Sequence, residues 1–397
     1  MANDLYIPAT GQDWRNPFDM YARLRKEAPL YHVADNGEGE DYYVLSRYKD
    51  VFDASMDGET YTSTEGLTPS YNDKELHEGR ETPIVMMDGP EHVELRHVAL
   101  KTFTPDKMKS YEPMLRKFVI DQIEDLKRDG GGDFIAKLAK PLPSLFVSLT
   151  LGVPLEDRIL FDKWAWAIAS ASATGDIFAA QENLMELVQY FSGLMAKRQD
   201  DPRDDMISTL VQADLKHGGK LSAQKILGVG FTMVLGGNDT ATGLIGSAAE
   251  YMTRWPEQRQ KIKTDPALIK NAIEEFLRLS SPVQGLSRTL TKDVTLHGQR
   301  VPKGRKVHLL YASANRDEYE YGETSEDCDV TRQIRRHVAF SSGAHMCIGA
   351  AGARMQARIV IEELLARCPD FKADFENGVF AEGHFVRRYD QLPISIN

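Results

Sequence analysis

The 397-residue chain is poor in cysteine: Cys328, Cys347 and Cys368 are its three, and none belongs to a CxxC pair. This argues against a disulfide framework and a cysteine-built zinc site, and suits a reducing cytoplasm. Long apolar runs are missing too. The longest, 226–237, falls well short of the roughly 18–20 residues a membrane-spanning helix needs. The opening segment MANDLYIPATGQDWRNPFD has neither a basic n-region nor an apolar h-region, so no export signal is expected. Basic residues are outnumbered, 48 against 59 acidic, for a net charge of −11. That balance disfavours a nucleic-acid partner, which rewards clustered Lys and Arg, although local basic clusters stay open. There is no Pro/Ser/Gly-rich linker, low-complexity tract, repeat of solenoid period, GxGxxG, Walker or HExxH pattern. One domain over 1–397 is the expected organisation.

What is present is a globular composition, 42% hydrophobic and 27% charged. Apolar residues recur three and four apart over 106–128, 154–173, 180–198, 222–252, 267–279 and 350–368, which predicts a mainly α fold. Short strand-like runs lie at 30–33, 41–46, 293–296, 301 and 307–310, with HGQ and PKG turns between the later ones, so a smaller β-rich region is expected beside the helices.

The segment with most chemistry in it is Phe340-Ser-Ser-Gly343-Ala-His345-Met-Cys347-Ile-Gly349, running straight into a helical pattern from Ala350. It sets one thiol at a helix start, where unpaired amides favour thiolate, and a thiolate is a good metal ligand. Gly343 and Gly349 permit unusual dihedrals and close approach of a flat ligand. This pattern resembles the haem-binding signature of the cytochrome P-450 family: phenylalanine, two residues, glycine, one residue, histidine, one residue, cysteine, one residue, glycine. The resemblance implies the cytochrome P-450 fold and heme b (iron protoporphyrin IX), with Cys347 as the proximal iron ligand, Phe340 beside the sulfur and His345 on a propionate. Thiolate ligation favours O–O cleavage.

A second segment interrupts the long 222–252 pattern: Leu235-Gly236-Gly237-Asn238-Asp239-Thr240. Adjacent interior glycines each weaken a helix by roughly 1 kcal/mol relative to Ala. They serve either close helix packing or a local opening that admits a small ligand, with Thr240 able to bond the Gly236 carbonyl four residues back. The segment resembles the family's oxygen-activating motif, which implies that Asp239 and Thr240 relay protons to dioxygen in a site kept otherwise dry.

Glu275 and Arg278 stand three apart on one helical face. They resemble the family's glutamate-x-x-arginine motif, whose role is structural, and Arg332 matches the arginine that completes it. Arg288 and the segment Asp88-Gly-Pro-Glu-His92-Val-Glu-Leu-Arg96 match propionate ligands of the family. With His345, then, His92, Arg96 and Arg288 are expected to supply cations for two buried carboxylates. The resemblance covers essentially the whole chain. It departs at Asn315-Arg316-Asp317-Glu318 and Cys328-Asp329, where the family usually has Asn-Arg-Asp-Pro and Phe-Asp.

The family's substrate contacts fall here in 63–87, 164–178, 231–236, 283–286 and 384–386. Leu235, Gly236, Val283, Leu286 and Phe385 suggest a small hydrophobic substrate, terpenoid, steroid, fatty or aromatic, while Arg80 or His77 could anchor an acidic group. The expected protein is therefore a cytoplasmic haem-thiolate monooxygenase, free of membrane and nucleic acid, that uses O2. With no flavin or nicotinamide fingerprint in the chain, its electrons come from a ferredoxin and ferredoxin reductase, docking on cations such as Lys101, Lys109, Arg335 and Arg336. A peroxide-driven peroxygenase and a non-catalytic haem- or ligand-binding helical protein are the alternatives.

Overall fold

Helices form where periodicity and capping chemistry agree. A computed structural model describes residues 5–34, 41–72, 82–174, 180–216 and 219–396, apart from the side chains of 168–170 and 172–174. The predicted 106–128 segment is the helix Pro105–Arg128. Thr104 accepts from the Lys107 N–H, and Pro105 sits in the first turn, where no N–H is needed. The predicted 154–173, 180–198, 222–252, 267–279 and 350–368 segments are Arg158–Thr174, Gln181–Asp200, Ala223–Arg254, Ile269–Ser280 and Ala350–Arg367. Periodicity missed Pro141–Leu151, which is buried on nearly every side and so has no polar face to create a period.

Ala223–Arg254 is the central helix. Ser222 caps it by accepting from the Lys225 N–H at 3.1 Å, and Pro141–Leu151, Ile269–Ser280 and Ala350–Arg367 pack around it. Its helical bonding is continuous, so the opening allowed for at the glycine pair does not occur as a break. Polar side chains instead bond back along it: Asn238 Nδ2 to the Val234 carbonyl at 2.7 Å and Thr242 Oγ1 to the Asn238 carbonyl at 3.0 Å.

Pro105–Arg128 and Ala350–Arg367 are joined by an ion-paired seam. Arg116 reaches Glu112 at 2.7 Å, Glu362 at 2.6 Å and Glu363 at 2.5 Å, and Arg358 reaches Glu112 at 2.6 Å. The hydrogen bond from Arg358, then that from Arg116, hold the Glu112 carboxyl down at about 2. A depressed carboxyl stabilises the fold above its ordinary value of 4.5 and loses that contribution as pH falls towards 2. Glu112→Gln is accordingly expected to lower the urea midpoint at pH 7, with the gap to wild type closing steadily below pH 4.5. A gap that stays constant on acidification would take Glu112 out of the acid-sensitive set.

The main sheet draws on both ends of the chain, in the order Leu30–Val33, Tyr42–Leu45, Lys306–Leu309, Leu286–Leu290, Tyr61–Thr62. Tyr42–Leu45 runs parallel to Lys306–Leu309 and the other pairs are antiparallel. The predicted strands are present within a residue or two. Val294–Leu296 and Gln299–Val301 form a hairpin whose HGQ turn has positive φ at His297 and Gly298. Leu286–Leu290 was not anticipated as a strand; it brings Arg288 into register with Val307.

Candidate active site

Cys347 lies three residues before the helix Ala350–Arg367, and its thiol is exposed. The loop is closed by the Cys347 N–H donating to the Phe340 carbonyl at 2.8 Å and by Gly343 at φ +70°, where a Cβ would come within 2.6 Å of the Ser55 carbonyl oxygen. Burial of the surrounding loop raises the thiol above its ordinary value, against the lowering effect of the Gly349 and Ala350 amides and the Arg96 and Arg354 guanidiniums. The Phe340 ring lies under the Arg354 guanidinium at 4.7 Å.

Residues far apart in sequence gather beside this loop. Arg96 Nη2 bonds the Met346 carbonyl, next to Cys347. His92 and His345 stack with ring centroids 4.3 Å apart. His345 Nε2 is 2.8 Å from Asp88 Oδ1 and 3.2 Å from Ser63 Oγ, which ties it to the sheet edge at Tyr61–Thr62. Arg288 is buried and donates to the Ser287 carbonyl of its own strand. Among the described residues neither Arg96 nor Arg288 pairs with a carboxylate. Burial, then His345 and Arg96, push His92 down to about 4.

The central helix supplies the second half of the site. A Cβ at Gly237 would come within 2.5 Å of Val147 Cγ2, so that glycine serves close packing; one at Gly236 would meet nothing within 4 Å. The pair thus divides the two roles left open by the sequence. Thr240 Oγ1 donates to the Gly236 carbonyl at 2.8 Å, one turn along the same helix. Asp239 is buried, and Arg388 Nε stands 3.1 Å from its Oδ1. Burial raises its carboxyl, opposed by Arg388 and then Lys140. Arg388 also reaches the half-exposed Asp390 at 3.2 Å, and the Trp166 ring lies 3.9 Å from Lys140 Nζ and 5.5 Å from Arg388 Cζ. Sequence reasoning missed Arg388, Lys140 and Asp390, since nothing local distinguishes them from surface charges.

Two candidate substrate segments meet. Val283 bridges Val386, and the Gln284 N–H donates to the Phe385 carbonyl at 2.9 Å. They press on the central helix at Gly243, where a Cβ would come within 2.8 Å of the Arg387 carbonyl oxygen. Leu235 packs on the main core, whereas Val283 and Leu286 pack on the smaller core around the sheet. His77, Arg80 and Phe178 lie outside the described residues.

Beneath the loop, Glu275 and Arg278 form a fully buried bidentate pair at 2.8 and 2.9 Å. Arg332 joins Glu275 at 3.2 Å, as anticipated, and Arg278 Nη1 also donates to the carbonyls of Asn315 and Ser325. Where the family usually has proline, Glu318 pairs with buried Arg25 at 3.0 Å, and Asp317 caps the short helix Glu318–Tyr321.

These residues fit a haem. A macrocycle that brings four nitrogens needs one protein donor on its axis, which Cys347 can be. Two guanidiniums free of carboxylates suit two propionates, and the central helix has open space where a side chain would stand at Gly236. Loop, arginines and open helix wall together define a haem-thiolate protein. The cytochrome P450 family matches residues 5–374, and the chain belongs to that family. Cytochrome P450 130 of Mycobacterium tuberculosis (strain ATCC 25618 / H37Rv) is 46% identical over 98% of this chain and 97% of its own. Vitamin D(3) 25-hydroxylase of Pseudonocardia autotrophica is 30% identical over 98% and 95%. Among solved structures, Mycobacterium marinum CYP268A2 in complex with pseudoionone superposes with TM-score 0.87, at 29% identity over 96% of each chain. Bacillus megaterium CYP109E1 in complex with testosterone gives 0.85 at 29% identity, over 96% of this chain and 99% of its own. The protein is thus a P450 monooxygenase with the mainly α P450 fold and haem b as cofactor.

Proposed function

We propose that this monooxygenase hydroxylates, or oxidatively dealkylates, a small hydrophobic compound in the cytoplasm, with Cys347 as its iron ligand. Arg96, Arg288, His92 and His345 hold the propionates, and Phe340 covers the sulfur. When bound, haem supplies activation of dioxygen and insertion of one oxygen atom, the other leaving as water. The observation that carries this reading is the buried Asp239–Arg388 pair, one residue from Thr240 on a helix wall left open at Gly236.

The chain's own part is proton management. Thr240 Oγ1, tethered to the Gly236 carbonyl, holds a hydroxyl proton at the wall. Burial raises the Asp239 carboxyl and Arg388, 3.1 Å from its Oδ1, opposes that rise, so opening of this contact would leave the carboxyl readier to take up a proton. Asp390 on the solvent side of Arg388 offers a second carboxylate along the path. A peroxide-driven enzyme needs no such relay. Thr240→Ala is expected to keep haem binding but release peroxide while consuming reductant. Asp239→Asn should slow product formation by about 10²-fold or more, the usual range for a lost acid–base group. Fully coupled product formation in Thr240→Ala would refute the relay.

The substrate reading rests on Leu235, Gly236, Val283, Leu286 and Phe385, all apolar or small. It draws support from relatives whose names carry pseudoionone, testosterone and vitamin D(3). Titration with a terpenoid ketone and with a steroid, read as a shift of the Soret band, tests it. Silence from both classes would turn the search to fatty and aromatic compounds.

Electrons arrive from a ferredoxin served by its reductase. Lys101, Lys109, Arg335 and Arg336 are exposed, and Arg336 is propped over the Phe52 ring at 4.3 Å. Reversing charge at Arg335 and Arg336 together should slow association with ferredoxin at low salt, and the difference should fade as salt rises. An unchanged rate would remove both from the docking face.

A further inference from the structure

The C-terminal end of the central helix borders a second cavity, of about 340 Å³, on which Arg15, Arg254, Arg316 and Arg387 converge among the rings of Phe18 and Trp255. Tyr251 on its lining lies fifteen residues beyond Gly236, about 22 Å along the helix, so the cavity is separate from the haem site. Three carboxylates share the lining, Glu250, Glu326 and Glu376, and two of them are engaged. Glu250 takes Arg254 at 2.9 Å and the Tyr389 hydroxyl at 2.9 Å, while Glu326 takes Arg316 and also Arg25, at 3.1 Å. Arg15 is left over, and Arg387 is only loosely paired. Arg15 donates to the carbonyls of Phe375 and Gly378, both at 2.8 Å, and makes no ion pair among the described residues. Arg387 is buried; its Nε donates to the Trp14 carbonyl at 2.7 Å, and its nearest carboxylate oxygen, on Glu250, is 3.8 Å away. Its Nη1 and the Tyr251 hydroxyl, both buried, have no hydrogen-bond partner among the described residues.

A guanidinium can only donate, so what completes this set must bring acceptors, and four guanidiniums against three carboxylates on the lining favour acceptors that are charged. Flat apolar surface is supplied by Phe18, over which Arg316 is stacked at 3.5 Å, and by the Trp255 ring. We propose that this cavity binds a small organic anion, a carboxylate or phosphate attached to a flat apolar body.

Calorimetric titration of the haem-loaded protein with phenyl phosphate, benzoate and inorganic phosphate, at constant ionic strength with sodium chloride as the control, tests the site. The Soret band is followed in parallel to detect entry into the haem pocket. Saturable one-to-one binding of phenyl phosphate or benzoate with a still Soret band is expected, the tighter of the two naming the headgroup. Arg15→Gln and Arg387→Lys should each weaken it about tenfold, the worth of one charge-assisted hydrogen bond. Should Arg15→Gln fold poorly, Arg387→Lys, which keeps the charge and gives up the unpartnered Nη1, still decides the question. No saturable heat, binding that moves the Soret band, or affinity unchanged in the variants would overturn the site. Equal affinity for inorganic phosphate would overturn the class of ligand.

Discussion

Cys347→Ser is expected to abolish the strongly red-shifted band of the reduced, carbon-monoxide-treated protein, and substrate oxidation with it. A serine hydroxyl keeps the side chain's shape but stays protonated near neutrality, and its oxygen cannot push electron density onto iron as sulfur does. The other two cysteines make the control. Cys328 and Cys368 are buried, and burial, then the neighbouring Glu275, pushes the Cys328 thiol up to about 12. Cys328→Ser and Cys368→Ser should therefore keep the band. A band that survives in Cys347→Ser, or is lost only in one of the other two variants, would overturn the assignment of the ligand.

The largest effect on stability is expected at the glutamate–arginine pair. Glu275 and Arg278 are both without solvent exposure, and Arg278 is further held by the carbonyls of Asn315, Ser325 and Asp327. Arg278→Met leaves the Glu275 carboxylate buried with Arg332 as its remaining cation and strips three loop carbonyls of a donor. Breaking one partner of such a pair costs about 3–5 kcal/mol, a large share of the roughly 5–15 kcal/mol that holds a domain folded. A steep fall in folded, haem-loaded yield is expected, and a lower urea midpoint for what folds, with a normal carbon-monoxide spectrum in that fraction. Glu275→Gln should cost less, because the carbonyl partners of Arg278 remain. A folded Arg278→Met protein of wild-type midpoint would take the pair out of the stabilising framework.

Local features were legible in the sequence because their partners are local. The Glu275–Arg278 pair is one helical turn, Thr240 reaches Gly236 one turn back, and the Cys347 loop feeds directly into its helix. Pro141–Leu151 escaped notice because total burial erases the contrast that periodicity measures.

By itself the sequence determined six of the helices, which thiol stands before a helix start and which carboxyl–hydroxyl pair lies beside the glycines, since spacing and capping act within a turn or two. Only the tertiary structure decided that Asp239 faces Arg388, that His345 closes on Asp88, that Val283 meets Val386, and that four arginines surround a second cavity. Those pairings join segments more than a hundred residues apart. Periodicity reports which face of an element is buried and is silent about what it is buried against, so the partners were settled only when the elements packed.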